Sequence, residues 1–206
     1  MIKMIVTDLD DTLLKDDKTI SEFSLNTIKK CRENGLKFIY ATARGASAEI
    51  MAPPAFFDGR VTVNGANGFL GNERLYRSLI EVSDVREVLV ESAKRGLKSG
   101  VEDGKRHYAN FNVNLLWDYV ADYEITNFSN LEGEMEKAYI LINDNNDVEF
   151  IKSILPEGYH FTVSRDGMAQ IMNGNATKTN GIIKLASQWG ISIDEVVAFG
   201  DDYNDL

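Results

Sequence analysis

The chain has 206 residues, 44% of them hydrophobic, with 32 acidic against 22 basic side chains, a net charge of −10 and an isoelectric point near 4.7. That balance excludes a nucleic-acid partner, because phosphate-backbone binding needs a positive footprint, and a single cysteine, Cys31, excludes a disulfide framework or a thiolate metal cluster. No apolar run is long enough to span a membrane and no signal peptide is recognisable, so the expectation is a cytoplasmic protein with no membrane partner.

Ile2 to Val6 is a short apolar run without periodicity, as expected of a strand buried on both faces of a parallel sheet. It ends in Asp8, Asp10 and Asp11. Residues 11–20 carry no regular period and read as a turn or small flap. Ser21 is a good N-cap for a helix with Leu25, Ile28 and Cys31 at helical spacing, stopped at Asn34-Gly35. Leu36–Ala41 is a second buried strand, followed by Thr42-Ala43-Arg44. A short helix over Ala46–Met51 is closed by Pro53-Pro54. Arg60–Val63 is a third strand, ending in Asn64-Gly65-Ala66, and a hairpin turns at Gly71-Asn72. Strand, helix, strand, helix, strand implies right-handed crossovers and a parallel sheet.

From Ile80 the texture changes to an α+β pattern. The spacing predicts a helix over Val82–Arg95, a hairpin around Asp103-Gly104, a helix over Asn112–Val120, a strand at Lys137–Ile142 and a helix over Asp147–Leu155. Two alternating strands, Tyr159–Ser164 and Met168–Met172, flank Arg165-Asp166-Gly167. Lys178–Trp189 then reads as an amphipathic helix and Glu195–Phe199 as another apolar strand, followed by the acidic run from Asp201 to Asp205. The predicted organisation is an α/β core of residues 1–79 and 165–206, with a Rossmann-like parallel sheet, and an inserted α+β cap over 80–164.

Three carboxylates within four residues repel one another unless a cation sits among them. The carboxyl end of a parallel strand is where open α/β sheets place ligands, so a hard, oxygen-liking ion such as Mg²⁺ is expected at this tip. Four clusters recur at that topological place: Asp8 with Asp10, Thr42 with Arg44, Lys178 at a helix start, and Asp201 with Asn204 and Asp205. Each alone has an ordinary explanation as an N-cap, a solvated lysine or an acidic turn; their joint occurrence in this order does not.

These residues resemble a known family. DLDDTLL, ATAR, Lys178 and GDDYND are similar to the four motifs of haloacid dehalogenase superfamily phosphatases. VNGA at 63–66 and QIMNGNATK at 170–178 resemble the Cof-type branch with a large cap. The resemblance runs from Ile2 to Asp205. It implies that Asp8 attacks phosphorus to form an aspartyl-phosphate and that Asp10 is the general acid and base. Asp8, Asp201 and the Asp10 carbonyl would hold Mg²⁺, with Asp205 in support. Thr42 and Lys178 would bind phosphoryl oxygens; Asn204 would orient Lys178 or the phosphate; Asn64 would line the same pocket and Arg44 would reach substrate. The expected partner is a phosphorylated small metabolite.

Two departures stand out. Ala43 occupies a position the family usually gives to Gly. Leu206 follows directly on the fourth motif, where relatives continue through another strand and helix. That reads as a truncated core whose strand Val196–Phe199 offers an unpaired edge for self-association. A non-catalytic phospho-ligand binder and a phosphomutase therefore stand as alternatives to the hydrolase. A receiver module uses a similar acidic pair, Thr and Lys, but has no room for the inserted segment.

Overall fold

The structure is a computed structural model that describes residues 1–117, 120–164 and 167–201. It divides into two compact units, one formed by Met1–Ser78 with Asn175–Leu206 and the other by Leu79–Gly174.

The first unit opens with Met4–Thr7 (β1). Ser21 caps Glu22–Glu33 (α1) as its spacing predicts, its side-chain oxygen accepting from the Ser24 N–H at 3.0 Å. Lys37–Ala41 (β2), Ser47–Met51 (α2), Gly59–Thr62 (β3), Asn67–Leu70 (β4) and Glu73–Arg77 (β5) follow. β1 runs parallel to β2 and β2 to β3, whereas β4 and β5 extend the sheet as an antiparallel hairpin. The unperiodic apolar runs are explained by burial on both faces. Met4, Val6, Ile39, Ala41 and Val61 line one face, and Phe38 and Tyr40 pack with Leu9, Ile28, Ala48 and Phe57 on the other.

The second unit holds Ile80–Glu81 (β6), Val82–Lys94 (α3), Ser99–Glu102 (β7), His107–Ala109 (β8), Tyr123–Ile125 (β9), Glu134–Met135 (β10), Lys137–Leu141 (β11), Asn145–Ile154 (α4), Tyr159–Val163 (β12) and Met168–Asn173 (β13). Its main sheet has the order β12-β13-β11-β7-β8-β9, antiparallel except where β8 meets β9, while β6 and β10 form a separate ribbon. Val85, Val88, Leu89 and Ile151 of the two helices pack against Val101, Ala138, Ile140 and Ile171 of this sheet.

Two expectations change here. In place of the expected helix over Asn112–Val120, only Val113–Leu115 turns among the described residues, as a single 3-10 turn, and residues 118 and 119 lie outside them. Phe111, Val113 and Val120 collapse together onto Ala109 and Tyr139, so the apolar spacing serves a packed loop. The second unit extends to Gly174 where the sequence reading closes the cap at 164, because β13 pairs with β11 and β12 and stays in their sheet. The aromatics split by strand alternation: Tyr108 packs on the helix side, whereas His107 and Trp117 gather around Tyr139 on the opposite face.

The chain returns to the first unit with Lys178–Gln188 (α5) and Val196–Phe199 (β14). β14 pairs parallel with β1 and stands at the end of the order β14-β1-β2-β3-β4-β5. Leu185 and Ala186 of α5 complete the core on the Met4 and Val6 face. Among the described residues no helix is long and apolar enough to cross a membrane.

Candidate active site

The carboxyl ends of β1, β2 and β3, with the start of α5, bring together most of the expected residues within the first unit. β1 delivers Asp8, whose N–H donates to the Phe199 carbonyl at 2.8 Å and so continues the pairing with β14 past the strand end. Asp8 is 7% exposed and Lys178 is 5% exposed, with the Lys178 ammonium 2.8 Å from Asp8 Oδ1. A buried charge pair of this kind requires compensation at both ends, since either group alone would be strongly disfavoured away from water. Thr177 caps α5, accepting from the Asn180 N–H at 3.0 Å, and this places Lys178 at the helix's first position.

After Asp8 the chain winds through a tight loop over Leu9–Leu13, closed by the Leu14 N–H donating to the Leu9 carbonyl at 2.8 Å. Asp11 adopts φ 56° there, a left-handed conformation that a short polar side chain tolerates. The loop also buries the Thr12 hydroxyl oxygen without a hydrogen-bond partner. Asp10 points its carboxylate at two cations. Arg44 is bidentate, with Nε at 2.5 Å from Oδ2 and an Nη at 2.7 Å from Oδ1, and the Lys18 ammonium lies 2.8 Å from Oδ1. The Arg44 hydrogen bonds, followed by that of Lys18, outweigh partial burial and draw the Asp10 carboxyl down to about 2.

Thr42 is 1% exposed, and its N–H donates to the Val61 carbonyl at 2.9 Å. Its hydroxyl accepts from the Arg44 N–H at 3.2 Å, which shapes the turn after β2. Ala43 lacks left-handed backbone, so a methyl replaces the family's usual Gly without conformational strain there. The loop after β3 is strained instead: Val63 and Asn64 have φ of 50° and 49°. A β-branched residue in that region is held there only by surrounding bonds. Those bonds come from the neighbouring loop, the Val63 N–H donating to the Arg44 carbonyl at 2.9 Å and the Asn64 N–H to the Thr42 carbonyl at 3.0 Å. Asn64 is thereby fixed beside Thr42.

Gly65 completes this contact with α5. It has φ of +102°, and a Cβ there would lie 2.2 Å from the Thr177 carbonyl oxygen. Gly65→Ala is expected to destabilise the fold by at least the 1–3 kcal/mol of backbone strain and to lower turnover by displacing Lys178. Gly71→Ala is the control, because Gly71 also has positive φ (+53°) but no atom within 4 Å of a Cβ. Equal melting temperatures and activities for the two variants would show that the Gly65–Thr177 contact does not matter.

Asp201 is exposed and follows β14 and Gly200. Asn204 and Asp205 lie outside the described residues. Among the described residues no group of three His, Cys, Asp or Glu side chains converges to hold a metal ion. The expected donors are all oxygens, two from side chains (Asp8 and Asp201) and one from a backbone carbonyl (Asp10), a set that suits a hard cation. Lys18 is a site residue that the sequence reading missed. It lies in the segment read as a flap, and its one available signal was being the lone cation after Asp16 and Asp17.

The sequence profile of haloacid dehalogenase-like hydrolases matches residues 5–206. The 5-amino-6-(5-phospho-D-ribitylamino)uracil phosphatase YitU of Bacillus subtilis is 27% identical over 232 residues, covering 98% of this chain and 81% of that protein. The Escherichia coli phosphatase YbjI, named for the same activity, is 27% identical and covers 100% and 80%. Among solved structures, the phosphatase BT1666 from Bacteroides thetaiotaomicron superposes with a TM-score of 0.84 at 20% identity, over 100% of this chain and 79% of that one.

Proposed function

The chain belongs to the haloacid dehalogenase-like hydrolase family and is a phosphatase of that family, and from this premise we propose that it is a Mg²⁺-dependent phosphomonoester hydrolase of small phosphorylated metabolites working through an aspartyl-phosphate. The observation that carries this reading is the buried Asp8–Lys178 pair at 2.8 Å. A carboxylate that must attack a phosphoryl dianion needs a cation beside it to offset the repulsion, and this one has it.

In the proposed sequence an Asp8 oxygen forms a bond to phosphorus as the ester P–O bond breaks, and the leaving alkoxide takes a proton from Asp10. Water then attacks the phosphoryl group, Asp10 takes a proton from that water, and inorganic phosphate leaves with Asp8 restored. The ionised Asp10 of the resting site is ready for the second half. Its protonation for the first half requires Arg44 to turn to the phosphoryl dianion, which frees Oδ2 to carry a proton from solvent while Lys18 stays on Oδ1. Thr42 and Lys178 are the proposed donors to phosphoryl oxygens, and the unpartnered Thr12 hydroxyl supports a ligand completing this loop. Asp8, the Asp10 carbonyl and Asp201 would hold Mg²⁺ with Asp205 in support, and Asn204 would orient Lys178 or the phosphate. When bound, the ion would supply charge neutralisation between nucleophile and phosphoryl group.

The substrate named for YitU and YbjI is a phosphate ester carried on a polyol chain, and it falls in the class proposed here. Hydrolysis of p-nitrophenyl phosphate, with and without Mg²⁺ and after exhaustive chelation, is the test. Turnover that appears with Mg²⁺ and vanishes on chelation is expected. Activity surviving chelation would remove the metal from the mechanism, and phosphate binding without turnover under any condition would favour the non-catalytic alternative.

A further inference from the structure

We propose that Lys18 is a positioning residue for Asp10, with the turn over residues 15–19 serving to aim its ammonium at the Asp10 carboxylate opposite Arg44. The inference rests on the acid–base reading of Asp10 given above. The turn that carries this side chain is held by its own local bonds. The Lys18 N–H donates to the Lys15 carbonyl at 2.8 Å and the Lys15 N–H to the Thr19 carbonyl at 2.9 Å. Asp17 Oδ1 accepts from the Thr19 N–H at 3.0 Å, and Leu14 bridges to Ile20 across the base of the turn.

Lys18 itself adopts φ 60°. Left-handed backbone is unfavourable for a long side chain, and Gly or Asn is the usual occupant of such a turn position. A lysine retained where it costs conformational energy points to a use for the side chain. Stability is not that use: the Lys18 and Asp10 side chains are 42% and 34% exposed, and ion pairs so exposed contribute little to folding.

What the pair does supply is orientation. Arg44 forks across both oxygens and fixes the carboxylate plane, and when Arg44 turns to the phosphoryl group Lys18 is the contact that still aims the carboxyl. The second donor on Oδ1 comes from a different loop, eight residues along the chain, and defines the direction of the carboxyl group. Proton transfer is sensitive to such placement, because acid and leaving oxygen must meet at hydrogen-bond distance. Lys18 touches Asp10 and acts through it.

The test uses Lys18→Gly, Lys18→Arg and Asp10→Asn in the full chain with Mg²⁺. kcat/KM is measured on p-nitrophenyl phosphate, whose phenolate leaves without a proton, and on glycerol 3-phosphate, whose alkoxide does not. This parameter reports the steps up to departure of the leaving group, so slow hydrolysis of the phosphoenzyme does not mask the effect. Lys18→Gly keeps the turn's backbone and its melting temperature. It is expected to lose about tenfold more kcat/KM on glycerol 3-phosphate than on the aryl ester, in the same direction as Asp10→Asn but smaller. Lys18→Arg is expected to recover most of that difference. Equal losses on the two esters would make Lys18 a contact to the shared phosphoryl group, and no loss would make it a surface residue; both overturn the proposal. An Asp10→Asn variant that discriminates between the esters while Lys18→Gly does not would remove the positioning role alone. An Asp10→Asn variant that fails to discriminate would remove the acid role, and the Lys18 role with it.

Discussion

Asp8→Asn is expected to reduce phosphatase turnover by several orders of magnitude while the chain remains folded. Asparagine is nearly isosteric with aspartate and its amide oxygen still accepts from Lys178, so the strand end and its bond to Phe199 persist. The amide is a poor nucleophile, and loss of a covalent nucleophile elsewhere costs on the order of 10⁴ to 10⁶ in rate. The cost to stability is smaller. Lys178 remains 5% exposed with a neutral partner in place of a charged one, a change worth about 1.5–3 kcal/mol in other buried charge-assisted bonds. Turnover of p-nitrophenyl phosphate and thermal unfolding by circular dichroism measure both. A variant within tenfold of the parent rate would remove Asp8 from the nucleophile's role.

Lys178→Met is the second large effect, and it has the opposite balance. Methionine fills similar volume without charge, leaving the Asp8 carboxylate buried without its Lys178 counter-charge. Breaking one side of a buried pair costs about 3–5 kcal/mol, so this variant should melt well below Asp8→Asn. Its rate should fall about 10²- to 10³-fold, through loss of a donor to the developing phosphoryl charge and through a nucleophile held partly protonated. The double variant Asp8→Asn with Lys178→Met separates the two contributions. With neither charge present it should be more stable than Lys178→Met alone, and its rate loss should match Asp8→Asn rather than the product of the two. Additive stabilities would show that the two side chains do not interact.

The sequence made the parallel core legible because burial on both faces leaves a clear mark. Runs such as KFIYA at 37–41 have no period to misread, and each ends in polar residues at the place where ligands bind. Ser21 caps α1 through its side-chain oxygen, a local interaction readable from residue type, whereas the cap of α4 by Asp144 was missed and that helix opens at Asn145 rather than Asp147. The packing of Val113, Trp117 and Val120 was not readable, since they fit a helical spacing but gather against Tyr139, roughly twenty residues along the chain. Short pairings such as β6 with β10 are fixed by tertiary contacts and carry no pattern of their own.

At the site, motif spacing located Asp8, Thr42 and Lys178, which the fold brings to one end of one sheet. The Asp10–Arg44–Lys18 arrangement was hidden, because which cation an aspartate faces depends on how two loops close. The strain at Val63 and Asn64 was equally silent in the sequence, since neither residue type advertises positive φ as Gly does.

The pairing of β1 with β14 has a consequence for synthesis. Thr7 lies opposite Phe199, so a strand made at the very start of translation waits for a partner emerging roughly 190 residues later, about ten to forty seconds at ordinary elongation rates. During that interval the whole second unit emerges, while β1 can form only half of its native ladder. Asp8 and Lys178 are likewise born far apart in time, so no nascent intermediate can carry their buried ion pair before α5 has emerged.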